Sequence, residues 1–332
     1  MPVHSSISEI DLPQWHELIA TSPTASFFQT PECYEFYASL SFVKPFVFGV
    51  TENNMLTGVL CGYIISDGNA VKRFFSRRAI VPGGALLDKD ISPEALKALL
   101  NKVTGYLGNR AIYLELRNYN DYSAYKTILE SSGLSYLPHL NFKVATPDLE
   151  TTLKKLSTTK RRDVKLSGKE GATWAVTTDR EDLKAYYEIL SDLYKNKIKT
   201  PLFPYEFFEK LILQPFGKLF VVKHHDQVMG GSVCVLLQNR IIYEWFVCGL
   251  DGQIKNIFPS TLATWAAIEY AAMNGFVSFD MMGAGKPDEG YGVREFKSKF
   301  GGELVEHGRF LYICNPQLYS LGKYIIGKLK KK

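Results

Sequence analysis

Apolar and polar positions along this chain fall into blocks that recur. Residues 46–65, FVFGVTENNMLTGVLCGYII, read as strand, polar turn and strand, and residues 219–237, LFVVKHHDQVMGGSVCVLL, repeat the plan. The turns are ENN and HHDQ, Gly58 and Gly230 occupy matching places, and short apolar runs broken by turn residues predict β-hairpins. Apolar segments follow at 79–87 and 240–250, then helical patterns at 93–106 and 259–273, each with serine beside a proline near its start. Strands at 111–116 and 277–282 come next. Each copy closes with a polar loop, a short helix and a last strand, LNFKVA in one and GRFLYI in the other. Upstream, helices at 12–20 and 30–40 correspond to 181–194 and 204–213. The offset holds at roughly 165–175 residues throughout, and constant order with constant spacing predicts a duplicated domain, not a short-repeat solenoid.

Each copy reads helix–helix–hairpin–strand–helix–strand–helix–strand. That order predicts an α/β (α+β) domain with a mixed, mostly antiparallel sheet flanked by helices. It is the order of an N-acetyltransferase-like domain, whose sheet splays apart and holds an acyl donor at the splay. Two such domains in tandem are expected, 1–148 and 149–310, with the border at the TPD following a strand that ends in VA. A chain of 332 residues is also long for a single core.

Composition narrows the class. Apolar content of 46% and charged content of 22% are those of a globular protein, and 13% aromatic residues favour packed sheets and clefts over disorder. Glu9, Asp11 and Glu17 interrupt any signal-peptide core, and no run approaches the roughly 18–20 apolar residues of a membrane span. The five cysteines include no CxxC pair, which fits buried reduced thiols and a cytoplasmic location. No His/Cys/Asp spacing suggests a metal site, and no GxxxxGK[ST] loop is present; GAGKP has proline after its lysine. No metal and no tightly bound cofactor are expected.

The net charge of +5 is local. Lys154, Lys155, Lys160, Arg161, Arg162, Lys165 and Lys169 crowd one stretch in which Asp163 is the only anion. Lys160, Arg161 and Arg162 are candidates to grip phosphates of a nucleotide or RNA; a solvated linker helix is the other reading. Lys195, Lys197 and Lys199 form a second cluster, which also suits the carboxyl end of a helix. The tail adds Lys323, Lys328, Lys330, Lys331 and Lys332 behind a short apolar segment, so weak peripheral contact with the inner face of a membrane is expected.

Chemistry-bearing residues are densest between 276 and 310. An apolar run leads into GAGKPDEGYG, where five glycines and prolines stop regular structure, and a short cationic helix follows. Ionisable groups at the carboxyl end of a strand mark where α/β sites tend to lie. The loop holds Lys286, Asp288, Glu289 and Tyr291, and the helix adds Arg294, Phe296, Lys297 and Lys299. Asp288 and Glu289 are candidates to accept the proton of an attacking amine, or form an exposed acidic turn. Tyr243, Glu244 and Trp245, alternating with Ile242 and Phe246 along an apolar strand, line a cleft or pack in a core. Lys297 is the candidate cation for an oxyanion formed in acyl transfer.

Several of these segments together resemble the Fem family of aminoacyl-tRNA-dependent peptidoglycan peptidyltransferases. SFFQTPECYEF is similar to that family's FxQSxxW helix start, and KRRDVKLSGKEGA to its basic R-x-x-I-[RK]-K-x-x-x-x-G helix. EWFVCGLD, ATWAAIEYAAMNG and FDMMGAG resemble successive elements of its second domain, and GVREFKSKFGGELVEHGRF its closing FK motif and last strand. Matching segments span nearly the whole chain. The resemblance implies tandem acetyltransferase-like domains, with 311–332 packing back on the first, and Phe296–Lys297 over the transfer centre. It implies an aminoacyl-tRNA donor and a cell-envelope precursor amine as acceptor. Tyr37 stands where members carry a lysine that contacts the precursor's diphosphate, Cys33 replaces a tryptophan, and no coiled-coil arm is inserted. The rival is a coenzyme-A-dependent N-acyltransferase. Such enzymes cradle the pyrophosphate on an R-x-x-G-x-G turn, for which LDGQIKNIFPS has a single glycine.

Overall fold

The computed structural model describes residues 1–68, 70–237 and 239–329. The chain forms two compact units, Met1–His139 with His307–Lys332, and Leu140–Glu306. Lys330, Lys331 and Lys332 of the basic tail lie outside the described residues.

Strands of the first unit are β1 (Val3–His4), β2 (Val43–Glu52), β3 (Met55–Ile65), β4 (Arg78–Gly83), β5 (Leu86–Leu87), β6 (Tyr113–Asn118) and β7 (Ser135–Leu137). The second holds β8 (Leu140–Ala145), β9 (Thr173–Thr177), β10 (Gly217–His224), β11 (Gln227–Leu237), β12 (Ile241–Gly249), β13 (Ser278–Asp280) and β14 (Glu303–Glu306). The chain then returns to the first as β15 (Arg309–Ile313).

Helices α1 (Leu12–Thr21), α2 (Pro31–Ser39), α3 (Ala70–Ser76), α4 (Pro93–Leu107) and α5 (Lys126–Ser131) belong to the first unit. The second carries α6 (Leu149–Lys155), α7 (Thr158–Lys169), α8 (Arg180–Leu193), α9 (Tyr205–Ile212), α10 (Pro259–Met273) and α11 (Gly292–Ser298), and α12 (Pro316–Leu329) closes the first. Local chemistry explains the helix starts. Asp11, Thr30 and Ser92 each accept a backbone N–H of the first turn, and a proline occupies an early position of α1, α2 and α4. In the first unit α4 lays Leu96, Leu99, Leu100 and Val103 on Phe46, Phe48, Val50, Leu114 and Leu116. That is the 3.6-residue stripe of a helix lying on a sheet. In the second unit α10 is buried on nearly all sides, and its alanines let it lie close to β10, β11 and β12.

The duplication is visible in the sheets. Their strand orders are β1-β2-β3-β4-β6-β15-β7, with β5 added beside β3, and β14-β8-β13-β12-β11-β10-β9. Read from β1 and from β9, the two orders match place for place, and each sheet has one parallel pair, β4·β6 and β12·β13. The match holds only because the two copies exchange a strand. β15 lies between β6 and β7, and β8 lies between β13 and β14. The compact units therefore divide at 139–140 and 306–307 instead of at 148 and 310. LNFKVA, expected to close the first domain, is β8 of the second unit, and the returning segment starts before residue 311. Contiguity in sequence suggested the border; ladder hydrogen bonds drew it elsewhere.

The return to the first unit is sterically tight. Gly308 has φ +63°, and a Cβ there would meet the Tyr136 ring at 2.3 Å. Tyr136 in turn packs edge-on against Phe310, ring centroids 5.3 Å apart. Gly308→Val should lower stability by about 2 kcal/mol or more, read as a fall in the urea midpoint. An unchanged midpoint would show that β15 tolerates another path.

Candidate functional site

The two parallel pairs end differently. In the first unit β4 is paired with β6 along its whole length, from Arg78 opposite Tyr113 to Gly83 opposite Asn118. Beyond that end the space is filled. The Gln29 amide donates to the carbonyls of Gly83 and Gly84, 3.0 Å each, and the Tyr122 hydroxyl donates to those of Gly83 and Ala85. A Cβ on Gly83 would meet Ser26 Oγ at 2.1 Å. In the second unit β12 is paired with β13 only at 241–243 opposite 278–280, while β12 runs on to Gly249. There the sheet splits.

The first residue past the pairing on β12 is Glu244, and on β13 it is Met281. Into this split α11 projects Lys297. The lysine is buried, and its ammonium donates to the carbonyls of Met281 and Gly283, the latter at 2.7 Å. Positive φ at Met282 (51°), Gly283 (103°) and Gly285 (78°) reverses the chain there. Arg294 holds the reversed loop by donating to the carbonyls of Ala284 (2.9 Å), Pro287 (3.4 Å) and Lys286.

Two buried carboxylates flank the lysine. Asp280 Oδ1 accepts from Asn141 Nδ2 (2.7 Å) and from the Met282 N–H (2.8 Å), while Oδ2 has no hydrogen-bond partner among the described residues. Neither oxygen of Glu244 has one, although the Lys297 ammonium and the Thr264 and Ser232 hydroxyls act on it. Burial pushes both carboxyls above their usual range; Lys297 opposes the shift in Glu244, and in Asp280 Lys143 opposes it first, then the Asn141 and Met282 hydrogen bonds, and last Lys297. Burial likewise lowers Lys297, and Glu244 and Asp280 counter it. Buried groups pushed toward one another in proton affinity are suited to passing or holding a proton.

The remaining candidates fall into separate places. Lys160 does not point outward with Arg161 and Arg162. It is buried, donates to Thr261 Oγ1 at 2.6 Å, and lies over the Phe296 ring at 3.9 Å and the Phe300 ring at 5.1 Å. The three therefore present no common phosphate-binding face; Arg161 and Arg162 are exposed, and Arg162 pairs with Asp163 at 3.1 Å. Asp288 and Glu289 are exposed on the loop, and Glu289 pairs with Lys286 at 2.9 Å. Tyr291 is exposed beside Gly285.

Tyr243 is buried on β12. Trp245 sits at a bulge, because the β11–β12 register steps from Cys234↔Glu244 to Val233↔Phe246. It packs on Phe207 with centroids 4.9 Å apart. Nearby, α8 passes into a π-turn at Tyr194–Ile198 that ends at exposed Lys199, φ +58°. Burial, then Tyr291, lifts the Tyr194 hydroxyl to about 12. The sequence reading placed Glu244 only among the cleft-or-core residues of its strand and missed Asp280 and Thr264. A single acid inside the apolar run IIYEWFVC was the available signal.

Residues 154–298 match the family model of the acetyltransferase (GNAT) domain, which falls inside the second unit. Among solved structures, FemX is similar with a TM-score of 0.73 at 15% identity, over 97% of this chain and 99% of that one. The C-terminal domain of a putative lysylphosphatidylglycerol synthetase from Agrobacterium fabrum is similar at TM-score 0.59 and 13% identity, covering 95% and 96%. A tandem GNAT protein from the clavulanic acid biosynthesis pathway is similar at TM-score 0.58 and 11% identity, covering 95% and 99%. No curated protein matches the chain. The fold is a Fem-like tandem GNAT fold, and the matched domain is that of an acyltransferase.

Lys160 supplies a test of the packing. Burial lowers it to about 8, with Lys299 adding to the fall and Asp163 and Asp251 resisting it. Between about pH 8 and the ordinary value of 10.5 the unfolded chain binds more of this proton than the folded one. The group's contribution to stability therefore rises with pH across that window. Urea titrations at a series of pH values should show wild type gaining on Lys160→Met from pH 8 upward. A pH-independent difference would place the ammonium in water.

Proposed function

We propose that this protein moves an aminoacyl group from aminoacyl-tRNA to an amine of a peptidoglycan or other cell-envelope precursor, at the split in the second unit. The observation that carries the reading is the buried Lys297 ammonium at the mouth of that split, between Glu244 and Asp280. In the reaction the amine nitrogen attacks the ester carbonyl. The C–N bond forms, the C–O bond to the tRNA ribose breaks, and the proton given up by the amine ends on the departing ribose oxygen, which leaves as a hydroxyl. Glu244 suits the proton acceptor, being a carboxylate with raised proton affinity and uncommitted oxygens. Lys297 spends two of its three N–H donors on carbonyls, which leaves one for the developing oxyanion. The two carboxylates favour its charged form against the cost of burial.

The start of α10 supports tRNA over coenzyme A. That is where a coenzyme-A enzyme offers free amides to a pyrophosphate. Here the Ser260 N–H donates to Asp251 Oδ1 at 3.1 Å and the Phe258 N–H to Ser167 Oγ at 3.0 Å. A carboxylate already caps the helix and would repel the anion. On the acceptor side, Tyr37 is buried against Tyr63, centroids 4.7 Å apart, and offers no charge to a diphosphate. The acceptor is accordingly assigned only as an envelope-precursor amine. The similarity to a lysylphosphatidylglycerol synthetase keeps lipid headgroups within that class.

Transfer assays with charged tRNAs and with acyl-coenzyme A, against amine-bearing envelope precursors, separate the donors. Product from the thioester alone would replace the tRNA reading. Lys297→Met should leave donor binding intact and lower turnover by roughly 10²-fold or more. Full turnover in the folded variant would remove Lys297 from the mechanism.

The Glu244 role has its own signature. Wild-type rate should fall as pH drops through its raised pKa, and Glu244→Gln should be slow at every pH with that acid limb gone. An unchanged acid limb would exclude Glu244 as the base.

A further inference from the structure

We propose that α3 and α12 of the first unit form a docking face for an anionic lipid bilayer. The inference does not rest on the reaction proposed above. The two helices pack beside each other. The base of α12 is anchored: Asn315 Oδ1 accepts the Leu318 N–H at 3.0 Å, and Tyr319 meets Tyr113 of β6 edge-on, centroids 5.8 Å apart. Outward, the pair exposes large apolar side chains. Phe74 is 50% exposed, Phe75 46%, Leu321 43% and Tyr324 60%. Leu321 and Tyr324 are three residues apart and share a helix face.

Charge identifies what would cover this patch. Lys72, Arg73 and Lys323 are exposed around it, and the Arg77 guanidinium lies 4.5 Å over the Phe74 ring. No acid occurs between Asp67 and Asp88 or after Glu306, and Asp67 is paired with Arg78 at 2.6 Å. Aromatic and leucine side chains beside exposed cations match an interface of acyl chains under anionic headgroups. Stable peripheral binding takes two signals, apolar insertion and basic attraction, and both are present. A second copy of the same face would bring like charges together. RNA fits less well. Arg77 covers one face of Phe74 against base stacking, and Leu321 is aliphatic. The sequence reading placed membrane contact in the lysine tail; here the contact is α3 with α12.

The test uses the full chain and co-sedimentation with vesicles of phosphatidylglycerol and phosphatidylcholine, and of phosphatidylcholine alone. Wild type should bind the anionic vesicles, lose most binding when salt is raised, and leave the neutral ones in solution. The quadruple change Phe74→Ser, Phe75→Ser, Leu321→Ser and Tyr324→Ser should weaken partitioning by roughly tenfold or more at an unchanged melting temperature. Lys72→Glu with Arg73→Glu and Lys323→Glu should abolish it. Phe74→Trp should be quenched by brominated lipid beyond the wild-type level, which checks the face without removing any apolar side chain. Absence of anionic-vesicle binding, equal binding by both variant sets, or no added quenching would overturn the proposal. So would variants that keep vesicle affinity and lose affinity for bulk tRNA, or a wild-type dimer that dissociates when the four apolar residues are changed.

Discussion

Two strands, one given by each copy to the other's sheet, underlie everything else in this structure. β8 comes from the end of the first repeat and completes the second sheet; β15 comes from the end of the second repeat and completes the first. Each takes a central position with a partner on both sides, so its backbone groups are satisfied only there. β8 then builds the site. Its Asn141 donates to Asp280 and accepts the Gly283 N–H at 2.8 Å, and its Leu140 N–H and C=O bond to Gly285 and Ala284. The loop that aims two carbonyls at Lys297 is therefore pinned by a strand belonging, in sequence, to the other repeat. β15 does comparable work in the first unit. Arg309 donates to Glu115 at 2.6 Å, and although burial raises that carboxyl, Arg117 and Arg309 hold it at about 2.

Duplication gave two similar sheets, and small local differences made their parallel pairs end differently. In the first unit Gln29, Ser26 and Tyr122 fill the end of the parallel pair with buried hydrogen bonds, leaving Asn118 Oδ1 there without a partner among the described residues. In the second, the parallel pairing stops after three residue pairs, and polar groups without full partners line the gap. Buried carboxylates without hydrogen bonds cost stability, and folded proteins keep them where chemistry requires them. The contrast between an end filled by side chains and a split lined by buried carboxylates supports the proposed placement of the chemistry in the second unit.

Much of this was legible in the chain. Alternating apolar runs, turn residues, proline-led helices and a constant offset determined the elements, their order and the duplication, because these depend on local periodicity and backbone chemistry. Phe296–Lys297 after a glycine loop marked the region of the candidate site. What the sequence could not determine was which strand pairs with which, because register and partner depend on contacts far apart in the chain. Hence the border at 148 was displaced, and LNFKVA changed sheets. Nor could it separate Lys160 from Arg161 and Arg162. Three adjacent cations read as one patch, but a helix sends neighbours to different faces, and one went inward over Phe296. Glu244, likewise, read with Tyr243 and Trp245 as a cleft or core residue of one strand and no more. Only the folded sheet, by parting where it does, turns a lone acid in an apolar strand into a buried carboxylate facing a lysine.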